Sequence, residues 1–404
     1  MSDWTLPALL TFTLLFMMTL TPSAAHGSDF PQVDSLPQQK DLPDLLAFRD
    51  GSRVASPQDW TKRRAELVAL IQHYEYGHLP PAGETRGVLL VSHAGRTLSV
   101  PHRQYMLINT GPNGQKTSFV LDLLLPASFK KPTTNSTTPP QAQKAPVILR
   151  GDWSWHKVPD DITKVLLDRG YALAEFNRVE LSPDNGSREA GRLHQAYPDG
   201  DFAALAAWAW GFHRSVDFLV ALPEIDAGKI AVTGHSRGGK AALLAGALDE
   251  RIALTNANGS GCGGAGPFRT DVPKSERLAD ILQKFPFWFS TNLPQFIGKE
   301  DRLPFDQHAL KALCAPRALL DTEGVEDLWA NPIGARVTHD ASKPVFKMLG
   351  AEDKIAIHYR PGPHRQDVED WTAFLDFADH VFKGVKPARN FDQQPPPAPA
   401  TPAP

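Results

Sequence analysis

The stretch AVTGHSRGGKAALLAGALDE, residues 231–250, constrains this chain more than any other. A short apolar run ends in Gly-His-Ser-Arg-Gly, and an alanine-rich pattern of helical period follows at once. Such a junction sets a strand, a turn with no room for bulky flanking side chains, and a helix start next to one another. Ser236 at the apex would then sit in a strained backbone conformation beside the free N–H groups of the first helical turn. Short glycine-serine patterns also arise in ordinary loops. Here both flanking elements are legible, and that gives the motif its weight.

The remaining elements fit the same architecture. Residues 56–80 carry apolar positions Leu67, Leu70 and Ile71 at helical spacing, with Ser56 or Asp59 as a cap. RGVLLVSHAG, TLSVPHRQYMLI and TSFVLDLLLP read as successive strands. From APVILR onward strands and helices alternate: DDITKVLLDRG, YALAEFN, a long polar loop to Gly200, the tryptophan-rich helix DFAALAAWAWGFHRSVDFLVAL, KIAVTG, and a helix from Lys240. IALTNANG, RALLDTEG and IAIHYRPG are further strands, and QDVEDWTAFLDFADHVF is a closing helix. Alternation of this kind predicts an α/β fold, a mostly parallel central sheet with helices on both faces in three layers. Together with G-x-S-x-G it predicts the α/β-hydrolase fold.

The 404 residues fit a single large domain over 46–388. Residues 1–25 read as a signal peptide: LPALLTFTLLFMMTLTPSAA is apolar and ends in small residues, although its front end carries Asp3 and no Lys or Arg. A single membrane anchor is the competing reading of that run. Cleavage would give an exported protein, periplasmic or secreted, with no stable membrane insertion. Residues 26–45 read as a polar leader, 130–144 as a low-complexity surface loop, and 389–404 as a disordered proline-rich tail. A net charge of −3 gives no electrostatic reason to bind nucleic acid, and the chain is expected to act as a monomer. Cys262 and Cys314 lack metal-ligand spacing, and whether they pair stays open. No metal or organic cofactor is called for.

A nucleophilic serine needs a base, and the base needs an orienting acid. In this fold they follow the serine as acid, then histidine. His364 lies between the last strand and the last helix, where the base belongs. His358 sits within the strand, and His308 precedes the acid region. RALLDTEGVEDLWANP offers Asp321, Glu323, Glu326 and Asp327 as acids, of which Asp327 lies deeper in the loop and is preferred. Lys240 follows Ser236 by one helical turn, so both can face one rim. Arg237 adjoins the oxyanion position. Two cations at the positive end of a helix dipole need an electron-rich partner, for which an oxyanion or an acidic product would serve. Trp208 and Trp210 read as core, whereas Trp153 and Trp155 are candidates to line the pocket.

GHSRGGKAAL, NGSGCGGAG, FPFWF, LPFDQHAL, EDLWANP and PGPHRQDVEDW, in that order, with AALAAWAWG upstream, resemble the bacterial glucuronoyl esterases over residues 145–383. The resemblance implies a serine esterase acting on the ester between 4-O-methyl-glucuronic acid of glucuronoxylan and an alcohol of lignin. It also implies roles: Ser236 nucleophile, His364 base, Asp327 acid, Arg237 at the oxyanion, and Lys240, Trp329 and Glu276 as sugar contacts. One departure stands out. Many members of the family carry a glutamate just before the Ser-Gly-x-Gly-Gly segment that can serve as the acid, and here that position is Gly259. The rival readings are an acetyl-xylan or other carbohydrate esterase on the same fold, and a carbohydrate-binding homologue of weak activity.

Overall fold

The computed structural model describes residues 30–94, 98–129, 143–152, 157–270 and 272–395. The proposed signal peptide, Trp153 and Trp155, nearly all of the 130–144 insertion and the end of the tail lie outside these. Nine strands form one sheet: β1 (Glu84–Ala94), β2 (Pro101–Thr110), β3 (Lys116–Leu124), β4 (Ala145–Asp152), β5 (Ala172–Asn177), β6 (Ile225–His235), β7 (Leu254–Asn258), β8 (Ala318–Gly324) and β9 (Ile355–Arg360). Their order is β1-β2-β3-β5-β4-β6-β7-β8-β9. The first three strands are antiparallel, and the six from β5 to β9 run parallel.

Nine α-helices are present among the described residues: α1 (Pro57–Ile71), α2 (Asp160–Asp168), α3 (Arg192–Ala196), α4 (Ala204–Leu219), α5 (Arg237–Leu248), α6 (Leu278–Lys284), α7 (Gln307–Leu313), α8 (Pro332–Met348) and α9 (Val368–Lys383). The parallel strands are buried on both faces, which is why they read as continuous apolar runs instead of alternating ones. Alternate residues still part company: Ile148, Ala231 and Leu320 face a layer with α2 and α9, while Val147, Val232 and Leu319 face the larger core with α4, α5 and α7. Both faces are thus covered, the three-layer arrangement expected of an α/β-hydrolase. Helix α4 is enclosed along nearly its whole length, with Trp208 and Trp210 fully buried and its polar residues His213, Arg214 and Ser215 paired within the protein.

Three differences from the sequence reading concern boundaries. Helix α5 starts at Arg237, directly after the serine, and not at Lys240. The leader does not trail free: Val33 and Leu36 enter the main core, and Lys299 and Arg302 bind Asp34 and the carbonyl of Leu36. At the other end, Asp392 bridges to Ile357 of β9 and takes Arg336 and Lys343, so the ordered domain runs past residue 388. Among the described residues, no helix is long and apolar enough to cross a membrane. Cys262 and Cys314 are both buried free thiols.

Candidate active site

The site forms at the carboxyl ends of the parallel strands, where open α/β sheets gather their loops. Ser236 is the N-cap of α5, with φ 55° and ψ −123°, a positive φ that a side-chain-bearing residue adopts only under constraint. Two hydrogen bonds supply that constraint. Its N–H donates to the carbonyl of Asn258 at 2.9 Å, and its own carbonyl accepts from Lys240 N at 3.0 Å. Gly234 completes the turn, since a Cβ there would lie 2.2 Å from the carbonyl oxygen of Gly238. The second glycine of the motif is less crowded: a Cβ at Gly238 would come no closer than 3.4 Å to its neighbours.

His364 and Asp327 come from different loops and meet above this turn. Nδ1 of His364 hydrogen-bonds Oδ2 of Asp327, while Oδ1 of Asp327 accepts from Ala330 N at 3.3 Å. Asp327 is buried, whereas the side chain of His364 is 43 % exposed and lines a cavity together with Ser236. The other candidate acids sit elsewhere. Asp321 is fully buried against Lys311 Nζ at 2.7 Å, Glu326 is exposed, and burial drives the Glu323 carboxyl far above its usual range. The rival histidines are also occupied. His308 bonds the carbonyl of Pro43 at 2.8 Å, and His358, buried within β9, lies 3.6 Å from Glu369 of α9.

Gly259 lies directly beside this pair. A Cβ built there would sit 3.6 Å from Asp327 Oδ2 and 3.6 Å from His364 Cε1, in ordinary contact with both. Its φ of +48° favours glycine. His235, next to the serine, packs its ring 4.5 Å from that of His364 and bonds Asn258 Oδ1 at 2.6 Å. Burial first, and His364 second, push His235 down to about 4, so it is neutral at ordinary pH.

The electron-rich partners expected for the two cations near Ser236 are supplied within the protein itself. Lys240 is buried; its Nζ donates to the carbonyls of Ser260 and Cys262 and lies 4.0 Å from Glu276 Oε2. Burial lowers its pKa, and Glu276 opposes that shift. Arg237 Nη1 donates to Asp184 Oδ2 at 2.9 Å, and its guanidinium lies over the rings of Trp288 and Phe285 at 4.6 and 4.9 Å. Trp288 Nε1 donates to the other oxygen of Asp184 at 2.8 Å. Neither cation is an ordinary solvated helix-start charge.

Two lobes meet at Ser236, Arg237 and His364. One, of about 250 Å³, is lined also by Lys240, Glu276, Lys284 and Trp329. Trp329 is 43 % exposed and carries Lys284 Nζ 4.3 Å from its ring centroid. The carbonyl of Trp329 accepts from Glu276 N at 3.0 Å, so the segment bearing Glu276 and the loop bearing Asp327 are tied together. Six of the seven sequence-derived site residues line this lobe, and the seventh, Asp327, is buried and joined to it through His364. The other lobe, of about 630 Å³, is lined by Arg150, Asp152, Arg178, Asp184 and Gln366 among others. Sequence reading missed these. Asp184 lies in a long polar loop without periodicity, and its only signal is the FPFWF segment that packs against it.

A family model described as glucuronyl esterase, fungi, matches residues 109–350. A carbohydrate esterase from an unknown prokaryotic organism is 32 % identical over 399 residues, spanning 85 % of this chain and 90 % of its own. The 4-O-methyl-glucuronoyl methylesterase 1 of Wolfiporia cocos is 33 % identical, spanning 77 % of this chain and 73 % of its own. Among solved structures, a carbohydrate esterase family 15 glucuronoyl esterase from Caldicellulosiruptor kristjansonii superposes with a TM-score of 0.76 at 32 % identity, covering 91 % of this chain and 97 % of its own. A variant of the glucuronoyl esterase of Sporotrichum thermophile, in complex with methyl 4-O-methyl-β-D-glucopyranuronate, superposes with a TM-score of 0.71 at 26 % identity, covering 87 % and 90 %.

Proposed function

The chain belongs to the glucuronoyl esterase family and is a carboxylic ester hydrolase, and from that premise we propose that it cleaves the ester joining 4-O-methyl-glucuronic acid of glucuronoxylan to an alcohol. The observation that carries the reading is the exposed His364 ring, anchored by Asp327 through Nδ1 and bordering the same cavity as Ser236. An Nδ1–H donated to the carboxylate leaves Nε2 as the basic nitrogen.

His364 Nε2 takes the hydroxyl proton as Ser236 Oγ attacks the ester carbonyl. The negative charge that develops on the carbonyl oxygen falls to the Arg237 N–H at the start of α5 and to the Arg237 side chain. The C–O bond to the alcohol then breaks, and His364 returns the proton to the leaving oxygen. Water, deprotonated by the same imidazole, cleaves the acyl-serine and releases the uronic acid. Lys240, Glu276 and Trp329 border the smaller lobe, and hydroxyls of the uronate ring are the groups that such donors, acceptors and aromatic faces suit. The apolar N-terminal run supports export before the enzyme meets its polymer substrate.

The test is turnover by the purified protein of methyl and benzyl glucuronate compared with acetylated xylan. Hydrolysis of the uronate esters that disappears in Ser236→Ala is expected. Activity confined to the acetylated polymer would replace this reading with that of an acetyl-xylan esterase.

A further inference from the structure

His235 belongs to a row that crosses three parallel strands in register, with Asn258 of β7 and Thr322 of β8. Asn258 Nδ2 donates to the Thr322 carbonyl at 3.2 Å and to its Oγ1 at 2.9 Å. A carbonyl only accepts, so the NH₂ group of Asn258 turns toward β8 and its Oδ1 toward His235. Nδ1 of His235, 2.6 Å from that oxygen, therefore carries the hydrogen. Nε2 is left as a lone-pair acceptor, with no hydrogen-bond partner among the described residues. Burial first, then the charges of His364 and Arg150, hold the ring neutral, so it accepts a hydrogen bond without competing with His364 for a proton.

His364 is in the same tautomer, its Nδ1 engaged by Asp327 and its Nε2 basic. The two ring centroids are 4.5 Å apart, and both rings line the larger lobe, whereas only His364 also lines the smaller one. With the uronate in the lobe of Lys240 and Trp329, which is the reading given above and on which this inference rests, the alcohol departs through the larger lobe. Water then enters beside both imidazoles. The two half-reactions differ in what they ask of these acceptors. Ser236 brings one O–H to His364, but water brings two. Hydrogen bonds of about 2.8 Å to each ring are long enough for one water to bridge a pair this close.

We propose that His235 Nε2 accepts the second O–H of the hydrolytic water and so positions it for attack on the acyl-serine. His364 Nε2 takes the first proton, the water oxygen bonds to the acyl carbon, and the bond to Ser236 Oγ breaks as His364 returns the proton to that oxygen. The O–H held by His235 stays on the attacking oxygen and leaves in the carboxylic acid. His235 thus acts on deacylation, and acylation proceeds without it.

The experiment treats benzyl glucuronate with enzyme in aqueous methanol and measures the early ratio of methyl glucuronate to glucuronic acid. Methanol carries a single O–H and gains nothing from a second acceptor. His235→Asn keeps an N–H near the Nδ1 position and drops the Nε2 acceptor, so it should raise the ratio by about fivefold, the worth of one neutral hydrogen bond. His235→Gln places an amide oxygen near the Nε2 position and should hold the ratio near that of the wild type. The ratio is set after the acyl-enzyme forms, so it does not depend on how much of a variant is folded or how fast it acylates. An unchanged ratio in His235→Asn, or an equal rise in both variants, would overturn the proposal and leave the uronate esterase reading intact. Failure of the wild type to cleave benzyl glucuronate would overturn both.

Discussion

Asp327 and His364, 37 residues apart in the chain, meet through an Oδ2···Nδ1 hydrogen bond beside Gly259, the position at which resemblance to the family leads one to expect a glutamate. Among the described residues, the carboxylate bonded to the imidazole comes from the loop after β8. With that carboxylate neutralised, the ring loses both its fixed tautomer and the counter-charge for its protonated form. Asp327→Asn should therefore lower kcat by about 10³- to 10⁴-fold with KM little changed, measured on benzyl glucuronate. A loss below tenfold would remove Asp327 from the triad.

A Cβ fits at Gly259, where it would meet Asp327, His235 and His364 in ordinary contact at 3.6 Å. Its positive φ adds strain of roughly 1 kcal/mol for any L-residue. Gly259→Ala should lower stability by about that amount in urea titration and keep most of the turnover. In the Asp327→Asn background, Gly259→Glu should recover part of the lost kcat by supplying a carboxylate from the other side. No gain over Asp327→Asn alone would show that this approach cannot orient the ring.

Lys240 is enclosed by the carbonyls of Ser260 and Cys262 and by Glu276. Replacing it with methionine keeps the volume but leaves two buried acceptors and a buried carboxylate unpaired. The expected cost is about 3 kcal/mol of stability. A rise in KM for the uronate ester exceeding any fall in kcat is expected as well. Unchanged KM in a folded variant would confine Lys240 to a structural role.

Arg237 is held by Asp184 and stacked on Trp288 and Phe285. Asp184→Asn keeps a hydrogen-bond acceptor but removes the charge, and it should mainly reduce kcat, by about tenfold, as the guanidinium loses its fixed position. Arg237→Lys cannot reproduce the planar stack and should lose about a hundredfold or more in kcat. Lysine activity equal to wild type would argue against a side-chain role at the oxyanion.

Glu75 predicts a pH dependence of stability. Burial, its largest influence, raises its pKa from 4.5 to about 8, while Tyr76 and Gln307 pull it down. The folded chain therefore keeps a proton that the unfolded chain releases above 4.5. The associated stability is full below 4.5 and is lost as pH rises through about 8. Replacement by glutamine retains an acceptor for Gln307 Nε2, which donates to Glu75 at 2.9 Å. The Tm advantage of the wild type over Glu75→Gln should shrink steadily between about pH 5 and pH 8. A constant difference would mean that Glu75 does not titrate in this range. His235 and His194, both held near 4 by burial, act with the opposite sign and weaken the fold as pH falls from 6.5 through 4.

Local pattern carried much of the architecture. The apolar runs of β4 to β9 and the enclosed helix α4 announce themselves by composition, because elements buried on both faces leave no polar stripe. The turn at Ser236 was legible for a similar reason: its glycine at 234 and its flanking strand and helix are all local. What the sequence could not state was which charges face one another. Arg237 and Lys240 look uncompensated on paper, yet Asp184, Glu276 and the carbonyls of Ser260 and Cys262 reach them from 20 to 53 residues away. The choice of Asp327 over Asp321, Glu323 and Glu326 rested on a position in a loop, and only the folded chain brings its oxygen to His364. Periodicity is a property of neighbours along the backbone. Electrostatic pairing depends on distance through space, so the chain by itself determined the scaffold and the serine, and the tertiary structure decided which charged groups surround it.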